Sequence, residues 1–169
     1  TLPCSAPDAG QYVTSACGVG DATSAGTDTQ VVDCTAPSPG QYVTESCKRG
    51  SSREQGTDTK LGGCSEPVAG RYVTTACLAG DATLAGADTQ TMDCSAPEPG
   101  QYVVGACEMG SSDVIGANTV IDGCRAPAQG QYTWAACVSG NPSTLGVNTQ
   151  TKACTQPGPA QFVSSICVM

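Results

Sequence analysis

The sequence predicts an all-β, disulfide-rich chain, an elongated, solenoid-like rod of short-stranded 30-residue repeats. Three observations carry this. The 12 cysteines fall at 4, 17, 34, 47, 64, 77, 94, 107, 124, 137, 154 and 167, so the gaps alternate 13 and 17 residues without a slip, and a fixed period of this length marks a repeat array. Aromatic residues make up 4% of the chain, with one Phe and one Trp, too few large side chains for one thick core. A 30-residue unit also lies below the ~40 residues at which burial alone sustains a fold, so cross-links must supply the rest.

The cysteine periodicity divides the chain into repeat 1 at 1–33, repeat 2 at 34–63, repeat 3 at 64–93, repeat 4 at 94–123, repeat 5 at 124–153 and a partial repeat 6 at 154–169. Zinc is the rival use for many cysteines, but it favours CxxC knuckles or nearby His, and this sequence has neither. Disulfides at this density imply an oxidising compartment, hence an extracellular protein, secreted or on a cell surface. Local pairing gives Cys4–Cys17, Cys34–Cys47, Cys64–Cys77, Cys94–Cys107, Cys124–Cys137 and Cys154–Cys167. The alternative, exemplified by Cys17–Cys34, leaves Cys4 and Cys167 unmatched within the sequence. In the chain-entropy account each short loop contributes about 3 kcal/mol.

The first half of each repeat runs Cys-x-x-Pro-x-x-Gly-x-Tyr to the next Cys, with Ala160 replacing the Gly and Phe162 the Tyr in repeat 6. Pro fixes φ and Gly tolerates positive φ, the chemistry of a turn. A short strand should follow, near Gln11–Thr14 and at each +30 position. The aromatics Tyr12, Tyr42, Tyr72, Tyr102, Tyr132 and Phe162 are all the Tyr and Phe in the chain. They read as a mini-core residue of each repeat, lying on the disulfide; a ligand-binding ladder of Tyr is the alternative. The second half carries paired glycines among small polar residues, which reads as a loop. It ends in Asp28, Asp58, Asp88, Asn118 or Asn148, each followed by Thr. Asp or Asn here suits a turn cap, and a second short strand is expected near Thr29–Asp33 and its equivalents. Ca²⁺ would favour oxygen ligands, but the Asp-to-Asn exchange and the lack of a DxDxDG loop argue against it. No cofactor is expected.

A 60-residue rhythm overlies the 30. Pro-x-Pro occurs at Pro37-Ser38-Pro39, Pro97-Glu98-Pro99 and Pro157-Gly158-Pro159, while Pro7, Pro67 and Pro127 stand alone. Either a half-revolution per repeat or duplication of a two-repeat unit would produce it. Pro37, Ser38, Pro39, Pro97 and Pro99 form a candidate set for Pro hydroxylation or O-glycosylation, against the plainer reading of loop polarity. No Asn heads a sequon, since Asn141-Pro142-Ser143 is blocked by its proline.

The half-repeat Cys-x-x-Pro-x-x-Gly-x-Tyr…Cys, with Asp-Thr ahead of the next Cys, resembles the first disulfide loop of tumour necrosis factor receptor-like cysteine-rich repeats. Repeats of this style occur in secreted surface proteins of protists and algae, including coats and flagellar hairs. The resemblance implies a stack of small β modules. It departs from the receptor pattern, which carries six cysteines in a longer repeat against two here, so neither the receptor's bridge ladder nor its ligand binding carries over.

The net charge of −8 with pI near 4.1 disfavours nucleic acid, and no apolar run approaches the ~18 residues of a membrane span. With no His, no nucleophile elbow and no phosphate loop, an enzyme is not expected. Two function classes stand: a structural subunit or segment of a cell-surface or appendage filament, and a receptor- or adhesin-type ectodomain binding a protein or glycan. Repeats that stay equivalent favour the first. Trp134, Pro142 and Ala160 are the main breaks in the pattern. Both ends of the sequence fall inside the repeat, so the array is expected to continue by covalent extension or by head-to-tail assembly of copies.

Overall fold

The computed structural model describes residues 2–167; the expectation placed on Thr1, Val168 and Met169, that the array runs on through them, lies outside the described residues. The structure is all-β and disulfide-rich, with ten strands and no helix among the described residues. Strands pair two by two: β1 (Gln11–Ser15) with β2 (Gln30–Asp33), β3 (Gln41–Glu45) with β4 (Lys60–Gly63), β5 (Arg71–Thr75) with β6 (Gln90–Asp93), β7 (Gln101–Gly105) with β8 (Val120–Gly123), and β9 (Gln131–Ala135) with β10 (Gln150–Ala153).

The chain forms two compact units. The first comprises Thr1–Glu66, Thr74–Gln90 and Ser111–Val114, and holds β1 to β4; the second comprises Pro67–Val73, Thr91–Gly110 and Ile115–Met169, and holds β7 to β10. Cys4–Cys17, Cys34–Cys47 and Cys64–Cys77 bridge the first unit. Cys94–Cys107, Cys124–Cys137 and Cys154–Cys167 bridge the second. Each pair therefore closes within one repeat, with Cα atoms 5.9–6.0 Å apart, inside the span a disulfide requires.

Turn chemistry starts each first strand. The Gln41 amide donates to the Ser38 carbonyl at 3.0 Å, with Pro39 and Gly40 between them and Gly40 at φ 77°. Proline second and positive-φ glycine third is the arrangement of a type II turn. Pro99 and Gly100 (φ 84°) repeat it between Glu98 and Gln101. The second proline of each Pro-x-Pro thus has a backbone reason. The strand's leading glutamine closes the turn a second time: the Gln41 Oε1 accepts from the Ser38 amide at 3.1 Å, and Gln11, Gln101, Gln131 and Gln161 do the same for Asp8, Glu98, Ala128 and Gly158. Repeat 3 has Arg71 there, which reaches the Thr91 carbonyl and the Asp93 carboxylate instead. Ala160 holds a φ of 62° without being glycine, a conformation that costs an L-residue about 1 kcal/mol or more.

In β1 and β2, Tyr12 faces Val32 and Val13 faces Val31, then the register slips and Ser15 faces Gln30. Thr14 is the extra residue of this β-bulge, and its hydroxyl donates to the Gln30 carbonyl at 3.3 Å; Thr44 and Thr74 do likewise to Lys60 and Gln90. The expected strand near Gln161 does not form. A strand needs a partner for its ladder, and no segment among the described residues pairs with this stretch. The second strands begin at Gln30 and its equivalents, one residue later than expected.

An aromatic is expected at the centre of each repeat. Tyr12, Tyr42, Tyr72, Tyr102 and Tyr132 are half-buried, and Phe162 is exposed. Full burial falls on the residue one step further along, at Val13, Val43, Val73 and Val103. The side chain period of a strand is two, so the tyrosine and the valine point to opposite faces, and the valine's is the more deeply buried.

Candidate functional site

The backbone of that valine is bonded to the loop of the following repeat. Successive amides of a strand point to opposite edges, so a strand paired on one side leaves donors and acceptors on the other. In the first unit the Val13 amide donates to the Arg49 carbonyl at 2.9 Å, the Gly56 amide donates back to the Val13 carbonyl at 2.8 Å, and the Cys17 amide donates to the Ser52 carbonyl at 2.8 Å. Thirty residues on, Val43 bonds Ala79 and Gly86 in the same way, and Cys47 bonds Ala82, all at 2.8 Å. In the second unit Val103 pairs with Ser139 and Gly146, and Cys107 with Pro142, at 2.8–2.9 Å. Val73 pairs with Met109 and Gly116 at 2.9 Å within the same unit. The loop behaves as a third strand laid on the exposed edge.

The loop is shaped for this by its own bonds. Lys48 and Thr57 exchange amide-to-carbonyl bonds at 2.8–2.9 Å, and Ser51 and Glu54 close the tip at 2.9 and 3.1 Å. In repeats 1 and 3 the tip begins with an aspartate. The Asp21 carboxylate accepts from the Thr23 and Ser24 amides at 2.7 and 2.9 Å, and these bonds, the Thr23 amide foremost, pull its pKa from 3.8 to about 2. Asp81 accepts from Thr83 and Leu84 likewise, and its pKa is also lowered. Gly86 lies where an added Cβ would overlap the carbonyl oxygens of Leu78 and Ala79. That close approach brings its amide to Val43.

The Asp or Asn before each buried threonine locks the repeat's two halves together. The Asp28 carboxylate accepts the Ser5 amide at 2.7 Å, the Ser5 hydroxyl at 2.6 Å and the Thr29 amide at 2.8 Å. Asp58 holds Thr35 and Thr59, and Asp88 holds Ser65 and Thr89, at 2.6–2.8 Å. These bonds, led by the hydroxyl of Ser5, Thr35 or Ser65, lower all three pKa values. The Asn118 Oδ1 takes the same two amides, and its Nδ2 donates to the Ser95 hydroxyl at 2.9 Å. Asn148 caps Arg125, which has no hydroxyl, at 2.8 Å and Thr149 at 2.7 Å. The exchange of Asp for Asn preserves the acceptor, which is the role the position plays.

Next to the first four caps sits a buried threonine: Thr29, Thr59, Thr89 and Thr119 are 7–9% exposed, while Thr149 beside Asn148 is half-buried. The Thr89 hydroxyl reaches the Ser112 carbonyl at 3.4 Å, whereas those of Thr29, Thr59 and Thr119 have no partner among the described residues. The Val and Thr positions are the part of the site that sequence reasoning missed. The signal was present, since Val recurs after Tyr in the first four repeats and Thr recurs after Asp or Asn in every complete repeat.

Of the other singled-out residues, Pro37, Ser38 and Pro39 line a shallow groove of about 390 Å³ together with Ala79, Ser112 and Asp113. Ser38 and Pro39 are exposed there, and Pro97 is half-buried while Pro99 is exposed. Trp134 is half-exposed with the Lys152 ammonium 4.5 Å from its ring centre. No group of His, Cys, Asp and Glu suited to a metal occurs among the described residues, and no helix is long and apolar enough to cross a membrane.

These features define a class: a cysteine-rich β-repeat protein with six disulfides, suited to an oxidising, extracellular setting and to a structural or ectodomain role. The chain matches no protein-family model, no curated protein and no solved structure.

Proposed function

We propose that this chain is an extracellular structural repeat protein, a subunit or segment of a filament on a cell surface or appendage, without a catalytic role. The observation that supports the reading most is the recurrence of one junction. Val13, Val43, Val73 and Val103 are each fully buried and each bonded through both backbone groups to the next repeat's loop. A fixed junction repeated at a fixed interval is what a load-bearing array needs, because each repeat is held by its neighbours and length is added without new contacts. A likeness to secreted, receptor-type cysteine-rich repeats and possession of O-glycans on the Ser and Thr of its loops belong to this reading.

The test is immunogold negative-stain microscopy of the material that secretes the chain. Label is expected along rods or fibres. Label confined to dispersed, non-fibrous surface complexes would favour the ectodomain reading instead.

A further inference from the structure

In repeat 2, a Cβ added at Gly62 would meet the side chains of Thr44 and Tyr42 at 3.0–3.2 Å, so these three positions share one face of their strand pair. Ninety residues on, the same positions hold Lys152, Trp134 and Tyr132. Tyr132 faces Lys152 across β9 and β10, and the Lys152 ammonium lies 4.5 Å from the centre of the Trp134 ring. Gln150 stands two residues before Lys152 and therefore on the same face. All four belong to the second compact unit. No other repeat combines these groups. At the phase of Trp134 the others have Thr or Val, and at the phase of Lys152 they have Val32, Gly62, Met92 or Asp122.

Trp134 is 52% exposed, and Lys152 and Gln150 are exposed with it. This openness belongs to the strand face, not to the place of repeat 5 in the sequence. Thr14, Thr44 and Val104 are exposed at the phase of Trp134, although the next repeat's loop is bonded to the valine beside each. Val32 and Met92 are 50 and 57% exposed at the phase of Lys152. Thr133, which is exposed at the phase of the buried valines, points to the opposite face and is not part of this set. The charge is reversed here as well. The chain carries −8 overall, yet residues 123–169 contain Arg125 and Lys152 and no Asp or Glu. Lys152 is paired with no carboxylate among the described residues.

We propose that Tyr132, Trp134, Gln150 and Lys152 form a binding face for an acidic polysaccharide, one whose sugar rings carry carboxylates. The exposed indole offers a flat, electron-rich surface to the C–H groups on one side of a pyranose ring. The Lys152 ammonium, held over that indole, donates charge-assisted hydrogen bonds to the carboxylate. The Gln150 amide and the Tyr132 hydroxyl supply hydrogen bonds to ring hydroxyls. One open ring flanked by polar tips matches a sugar; a protein partner held stably buries a broad patch with an apolar centre. The inference does not depend on the filament reading, because the face needs only repeat 5 to be folded.

Trp134 is the one Trp in the chain, so its indole N–H gives a single NMR signal that reports the face directly. The 169-residue chain is titrated with a galacturonate trisaccharide and, in parallel, with neutral and sulfated galactose trisaccharides. A saturating shift of the indole signal is expected with the galacturonate probe at about millimolar concentration, weakening as salt is raised. The neutral probe should bind about tenfold more weakly or worse. Lys152→Gln should weaken galacturonate binding by about tenfold or more. Trp134→Thr, which installs the residue of repeats 1 to 3, should abolish it, followed at the Tyr132 and Lys152 amides. Thr14→Trp with Val32→Lys transfers the face to repeat 1, where Tyr12 and Gln30 are already present; both replaced side chains are exposed. Its second indole signal should shift with the probe as the first does. Exchange protection of the Val13 and Val103 amides shows that a variant is folded. No saturable shift with galacturonate, equal binding of the neutral probe or tighter binding of the sulfated one would overturn the proposal. So would a folded Lys152→Gln variant that binds like wild type, or a folded double variant whose second indole signal does not move.

Discussion

Replacing Val43 by Ala tests where the stability of a repeat resides. The side chain is fully buried, and its backbone amide and carbonyl hold Ala79 and Gly86 at 2.8 Å. Alanine keeps both bonds and removes two carbons. At about 0.8 kcal/mol per buried carbon the transfer loss is about 1.6 kcal/mol, and incomplete collapse of the space raises it to about 2–3 kcal/mol. Because repeats touch only their neighbours, the loss should be local. Amide exchange at residue 43, at Cys47 and at Gly86 should speed up by about thirtyfold or more, the factor that corresponds to roughly 2 kcal/mol, while Val103 and Gly146 stay unchanged. Val32→Ala is the control: that side chain is half-exposed on β2, and its loss should cost under about 0.5 kcal/mol. Equal effects for the two variants, or a Val43→Ala effect spread evenly over all repeats, would refute the junction as the stabilising element.

Three further outcomes follow from the same geometry. Gly86→Ala forces a Cβ onto the Leu78 and Ala79 carbonyls and displaces the amide bonded to Val43, so chemical denaturation should show a loss of about 2–4 kcal/mol. Thr59→Val keeps the shape and removes a buried hydroxyl without a partner, so the same assay should show a gain of about 1 kcal/mol; a loss would mean that the hydroxyl is bonded in solution. The capping aspartates set an acid dependence. Asp28, Asp58 and Asp88 have lowered pKa values, so the folded chain binds fewer protons than the unfolded one just below the ordinary 3.8, and the stability they add is present above that value and lost as pH falls through their folded pKa. Exchange at the Ser5, Thr35 and Ser65 amides should therefore rise, relative to intrinsic rates, as the pH is taken below the ordinary 3.8 of a free aspartate. The Ser95 and Arg125 amides, held by Asn118 and Asn148, should show no such rise.

The sequence by itself determined the unit and its cross-links. A cysteine spacing that never slips sets the repeat, and a 13-residue loop closed by Pro and Gly brings Cys34 to Cys47 through local chain geometry alone. The strands were legible for the same reason: turn residues and β-formers sit side by side in Pro39-Gly40-Gln41-Tyr42-Val43. The acceptor role at Asp58 was legible as a cap, though its partner Thr35 lies 23 residues away and composition does not reveal that distance. Only the tertiary structure decided which side of each strand is interior. Tyr42 and Val43 are both apolar enough to be buried, and they face opposite ways. The valine's backbone is bonded to the loop at Ala79–Gly86, more than thirty residues along the chain, and its side chain is the one fully buried. Strand formation at Gln161 failed for the matching reason. Its local sequence is nearly that of Gln41, but a β-strand is a property of two segments, and no segment among the described residues pairs with it.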